Sequence, residues 1–187
     1  SPAAVMANNL RFDLPSSFPS DSPLAGADYA LHLEVEMVCR HLREFACERN
    51  VRFIKAHVVR FKLGPGGFVE SLELSNRETV DGDFFIDCSG LRGLLINEAM
   101  NSDYESWDHY LPCDRAVVVH TPNPDVIPLH TTSTAQESGW TWRIPLKNHM
   151  SSGYVFSSGH SSDNQALNVL LESVEAEPLQ DPYFIPF

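Results

Sequence analysis

Apolar positions along the chain follow two different periods. In residues 29–49 they recur at helical spacing: Val35, Val38, Leu42, Phe45 and Ala46 share one stripe, and Glu36, Arg40, Arg43 and Glu44 stand away from it. This predicts a helix with Asn50 as its stop. Residues 51–63 change to a strand-like run of β-branched and aromatic side chains. Gly64-Pro65-Gly66-Gly67 turns the run, and residues 68–74 alternate Phe68, Glu70, Leu72 and Leu74 against Val69, Ser71 and Glu73, so the two read as a β-hairpin. After a polar turn region (76–82), residues 83–86 read as a short apolar strand ending at the small residues of Asp87-Cys88-Ser89-Gly90. A helix is expected over residues 91–100.

The second half is richer in strands. Residues 116–120 are a β-branched run, and Pro122, Pro124 and Pro128 make a loop. Residues 130–136, 140–145 and 153–158 are three further strand candidates, separated by turn residues. Ser162 or Asp163 is placed to cap a last helix, residues 165–175, whose apolar residues are Leu167, Val169, Leu170, Leu171 and Val174. The chain closes on the strand-like Tyr183-Phe184-Ile185-Pro186-Phe187. Residues 1–28, with Pro2, Pro15, Pro19 and Pro23 among Ser and Ala, read as an irregular approach segment apolar enough to lie against something.

Composition narrows the function classes. The chain has 187 residues, 43% of them hydrophobic, which is enough for a packed core. A net charge of −12 argues against a nucleic-acid groove or a polybasic membrane anchor, since both need clustered positive charge. No apolar run reaches the ~20 residues of a membrane span. Cys39, Cys47, Cys88 and Cys113 show no close pairing and read as the thiols of an intracellular, cytoplasmic protein. The eight histidines include no H-x-x-x-H pair, so no metal site is expected. There is no G-x-S-x-G elbow and no phosphate loop of the G-x-x-x-x-G-K-[ST] type.

Two strings could carry chemistry. Asp87-Cys88-Ser89-Gly90 lies between an apolar strand and a helix start, where free backbone N–H groups and the helix dipole favour an anion and Gly90 lets a ligand approach; an ordinary strand-to-helix turn is the alternative. In Trp140-Thr141-Trp142-Arg143-Ile144-Pro145 the period of two points both indoles to one face. They form either a core wall or the rigid wall of an aromatic site. Pro145 cannot donate to a ladder and marks an edge or strand end.

Together these strings resemble the flavin-dependent tryptophan halogenases. Gly139-Trp140-Thr141-Trp142-Arg143-Ile144-Pro145 is similar to the W-x-W-x-I-P element of that family, and residues 83–97 to its strand-end element. Weaker echoes are residues 111–116, 152–158 and 51–59. The resemblance runs from about Tyr29 to the end; residues 1–28 match poorly.

The resemblance implies an α+β or α/β chain: a partial FAD-dependent monooxygenase-like (p-hydroxybenzoate-hydroxylase-like) fold, with an antiparallel sheet and pieces of the FAD-binding domain. Residues 29–100 would belong to the FAD-binding part and residues 101–187 to the antiparallel-sheet region, after the approach segment 1–28. The implied activity is chlorination of tryptophan or a related indole. Reduced FAD from a separate flavin reductase would react with O2 to give a C4a-hydroperoxide, and chloride or bromide would attack it to give the hypohalous acid. Trp140, Trp142, Ile144 and Pro145 would line the active site, the indoles keeping the organic substrate from the peroxide. Val58 would meet the adenine end of FAD, and Asp87, Ser89 and Gly90 would bind the cofactor. The family's G-x-G-x-x-G, catalytic lysine and catalytic glutamate have no counterpart in these residues. The sequence is therefore expected to be an internal piece of a longer halogenase, inactive alone. A fragment of a flavin-dependent aromatic hydroxylase and a stand-alone aromatic-binding module are the alternatives.

Overall fold

A computed structural model describes residues 2–187. Helix α1 spans Pro2–Asn8, α2 Val35–Cys47 and α3 Asp163–Ser173. The eight strands are β1 (Val58–Leu63), β2 (Val69–Leu74), β3 (Thr79–Asp81), β4 (Arg115–Thr121), β5 (Thr132–Gln136), β6 (Gly139–Pro145), β7 (Met150–Phe156) and β8 (Tyr183–Pro186). Contacts divide the chain into two units, residues 42–107 and the remainder.

Helix α2 ends as its sequence predicts. Asn50 takes a left-handed φ of 64°, its N–H meets the Cys47 carbonyl and the Val51 N–H meets the Ala46 carbonyl, which is the Schellman arrangement. The helix starts six residues later than its apolar spacing suggests. His32 is held on Thr131 (3.1 Å) and Glu34 accepts from the Asn148 N–H (3.3 Å), so side-chain contacts hold residues 32–34 outside the helix. None of the α2 residues is buried.

In residues 42–107, β1, β2 and β3 form an antiparallel sheet in that order. The predicted hairpin is present, but its first strand begins at Val58 rather than Val51. The reason is partner length: β2 has six residues, and its ladder with β1 closes at Val58 opposite Leu74. The strand predicted over residues 83–86 has no ladder partner among the described residues, and Phe84 and Ile86 are 83% and 77% exposed. An extended run becomes a strand only when a neighbour takes its N–H and C=O groups.

The helix predicted over residues 91–100 is also revised. A 3-10 turn at Gly90–Arg92 is followed by a π-helical segment, Leu94–Ala99. Gly93 breaks them apart at φ 51°, a left-handed conformation that glycine adopts without strain.

The other unit is built on a five-stranded sheet of order β5-β6-β7-β4-β8, with every neighbouring pair antiparallel. The register sets Val117 opposite Tyr154, and Tyr154 opposite Thr141, so these residues share one face. Helix α3 covers it: Ala166 and Leu170 pack with Val117, Val119, Tyr154 and Phe156, all essentially inaccessible. A complete capping box starts α3, with the Ser162 hydroxyl accepting from the Gln165 N–H and the Gln165 side chain accepting from the Ser162 N–H. Arg115 of β4 forks onto Asp163 at 2.7 and 2.9 Å. Asp114 accepts from the Ser158 N–H (2.7 Å) and hydroxyl (2.6 Å), which holds its carboxyl below the usual range.

Residues 2–28 are less irregular than their prolines suggest. Pro2 occupies the first turn of α1, where its missing N–H costs nothing, and Ala3, Ala4, Met6 and Ala7 are helix formers. A 3-10 turn follows at Pro15–Ser17. A cavity of about 210 Å³ lies in this unit, lined in part by Met6, Arg11, Phe12, Phe18, Tyr29 and Leu129.

Leu170 is the largest fully buried side chain of α3. Leu170→Ala is expected to cost about 2–5 kcal/mol, read as lost amide-exchange protection across β4 and β7 in the complete protein.

Candidate functional site

The Asp87 loop lies in the unit of residues 42–107. One Asp87 oxygen accepts from the Ser89 hydroxyl (2.6 Å) and N–H (3.1 Å); the other accepts from the Leu95 N–H at 2.7 Å. The Ser89 hydroxyl oxygen in turn accepts from the Leu94 N–H at 2.7 Å. The Ser89 hydroxyl, then the Leu95 N–H, stabilise the ionised form and lower the Asp87 pKa from 3.8 to about 2.

This arrangement corrects one expectation. The N–H groups at the start of the Leu94–Ala99 segment are not free for an anion, because Asp87 and Ser89 already occupy them. What the loop offers instead is an exposed carboxylate whose ionised form is stabilised by its own loop. Beside it Gly90 sits at φ 70° with open space where a Cβ would be. Val58, in the same unit, is half-buried at the first position of β1, opposite the buried Leu74.

The Trp pair lies in the other unit, on β6. Trp140 faces Val155 and Trp142 faces Gly153 across the β6–β7 ladder, and Gly153 faces Val118 across β7–β4. Both indoles therefore stand on the face opposite α3. Their ring centroids are 6.0 Å apart at an interplanar angle of 52°. Trp140 is 42% exposed and Trp142 half-buried, so the pair is not a core wall within these residues. Ile144 follows on the same face by period two, and Pro145 is buried at the end of β6, opposite Met150.

Two features of this unit were not singled out by sequence reasoning. Gly153 lies in the interior of β7, where a glycine signals close approach of another group. His120 and His149 form the second, with rings 4.5 Å apart and His149 Nδ1 3.8 Å from Glu34. Burial, and next the neighbouring His149, push the His120 pKa down. These three residues are 29 to 115 positions apart, so no local spacing announces them. Among the described residues no helix is long and apolar enough to cross a membrane.

Comparison with known proteins identifies the family of the chain. A family model described as tryptophan halogenase matches residues 1–187. Tryptophan 7-halogenase RebH of Lentzea aerocolonigenes is 35% identical over 160 residues, covering 83% of this chain and 30% of RebH. The flavin-dependent halogenase BrvH of Brevundimonas sp. BAL3 superposes over the whole chain at a TM-score of 0.92, with 40% identity and 38% of its own length covered. Xcc4156, a flavin-dependent halogenase of Xanthomonas campestris, gives 0.87 at 29% identity over 98% of this chain and 36% of its own. The chain thus spans about 30% of the length of the curated relatives it matches. On the whole-length family match and these relatives, the chain belongs to the tryptophan halogenase family.

Proposed function

We propose that these residues are part of an FAD-dependent halogenase that replaces an aromatic C–H of tryptophan or a related indole with a carbon–halogen bond. The observation that carries this reading is the Trp140–Trp142 pair, standing as a rigid apolar surface on the sheet face that α3 leaves uncovered. Two adjacent indoles expose area at low conformational-entropy cost and do not yield to a small aromatic molecule. Such a wall favours transfer of a small diffusible oxidant over direct attack on the organic substrate. Ile144 extends it and Pro145 ends it.

Bound FAD, reduced by a separate flavin reductase, would give two electrons to O2, and chloride or bromide would give the other two, so that O2 ends as one water and one hypohalous acid. The Asp87 loop fits one part of that cofactor. The ionised carboxylate accepts from Ser89, Leu95 and Ile96 and so fixes the shape of the loop; its charge suits the hydroxyl-bearing part of a flavin nucleotide and repels the phosphates. Ser89 orients the carboxylate, Gly90 leaves room beside it, and Val58 offers an apolar contact for the adenine end. The four cysteines are free thiols, which accords with the cytoplasmic setting proposed for the enzyme.

The complete protein, supplied with FAD, a flavin reductase, NADH and chloride, is expected to convert tryptophan or indole to a product one chlorine heavier. A hydroxylated product formed regardless of halide would overturn the reading in favour of an aromatic hydroxylase. Asp87→Asn removes a charged acceptor worth about 1.5–3 kcal/mol, so FAD affinity should fall roughly ten- to a hundredfold, measured by flavin fluorescence.

The same carboxyl predicts a pH dependence. Its folded pKa lies below its ordinary value, so its contribution is present above 3.8 and is lost as pH falls through about 2. The thermal-midpoint difference between wild type and D87N should be constant above about pH 5 and shrink toward zero over that window.

A further inference from the structure

Gly153 sits in the middle of β7, between Trp142 on β6 and Val118 on β4. A Cβ built on it would lie 2.2 Å from Trp142 Cη2, 2.2 Å from Cζ2 and 2.7 Å from Cζ3. Those atoms are the outer edge of the indole's six-membered ring. The ring therefore lies folded across the ladder onto the Gly153 backbone, and Gly153 is buried beneath it. Ordinary carbon–carbon contact needs about 3.5–4.0 Å, so any side chain at residue 153 must lift the indole edge by more than an ångström.

The backbone does not demand glycine at this position. Gly153 lies outside the left-handed region, in a strand conformation open to any residue. A glycine in a strand interior forfeits side-chain packing and loses extra entropy on folding. Its only evident return here is space. An aromatic ring laid over a cross-strand glycine also recovers part of the lost packing.

We propose that Gly153 is a positioning residue for the Trp pair: it seats the Trp142 indole flat on the sheet and so fixes the orientation of Trp142 against Trp140. Indole has two side-chain torsions, and the backbone hydrogen bonds of β6 fix neither. The seat at Gly153 holds the ring edge on one side, and Trp140, with its centroid 6.0 Å away, stands beside it. The functional part of this inference rests on the halogenase reading; the geometric part does not.

The test uses Gly153→Ala in the complete protein. Two indoles this close give an exciton couplet in circular dichroism, isolated as the difference between wild type and W140F. The couplet should fall by at least half in G153A. Thermal midpoints of wild type, G153A, W142A and the double variant should show that G153A destabilises only when Trp142 is present. In the activity assay, halogenated product per reduced flavin consumed should drop at least threefold in G153A, with FAD affinity unchanged within twofold. An unchanged couplet, or equal destabilisation by G153A with and without Trp142, overturns the positioning role. A changed couplet with unchanged product yield overturns its functional part. If the wild-type protein halogenates nothing, the proposed function fails, and the couplet and the midpoint cycle still decide the geometry.

Discussion

The antiparallel register between β6, β7 and β4 is the constraint on which the sheet unit depends. Side chains alternate across a strand, so one register assigns every residue of three strands to a face at once. Tyr154 opposite Val117 and Thr141 sends the large apolar side chains of β7 toward α3. The same register leaves Gly153 opposite Trp142 on the other side. A slip of β6 by one residue would turn the indoles toward α3, and a slip of β7 would turn Tyr154 and Phe156 away from it. The packing of Ala166 and Leu170 on that sheet is thus what keeps Trp140 and Trp142 on the face opposite α3. The Arg115–Asp163 fork and the Asp114–Ser158 contacts hold α3 and the strand ends in place around it.

The charge at residue 87 has a different origin, in local chain geometry. Gly93 interrupts the segment that follows the loop, and the turn after it presents the Leu94 and Leu95 N–H groups to Ser89 and Asp87. The carboxylate fills the place that an external anion would take. A loop that first looks like a phosphate cradle becomes a negatively charged turn whose carboxylate is held by its own backbone and by Ser89. The distinction rests on two hydrogen bonds of 2.7 Å, which the amino-acid string does not specify.

Local periodicity revealed more of the fold than of the site. The Ala116–His120 run is legible because β4 is central and Ala116 to Val119 are buried on both faces, which calls for an unbroken apolar string. Asn50 and Ser162 are legible because a helix end is a chemical problem solved by adjacent residues. The errors fall where the outcome depends on distant partners. Val51 to Ala56 are as strand-like as Val58 to Leu63, but β2 ends too soon to pair with them. Phe84 and Ile86 have strand chemistry and no neighbour among the described residues. His32 and Glu34 interrupt a helical pattern through contacts with residues about a hundred positions away.

The Trp motif shows why a site can be recognised before it is understood. Its two indoles are visible in the string, and period two puts them on one face. Whether that face is core or surface depends on which side α3 covers, and that follows from Leu170 and Tyr154 rather than from the tryptophans. How the rings are held depends on a third residue, on another strand, whose contribution is to have no side chain. A glycine of this kind leaves no chemical signature beyond its place in a strand, where it would otherwise be a weakness. Its meaning appears only when the ladder places it beneath an indole, so the geometry of the wall is a property of the β6–β7 pair and not of the motif alone.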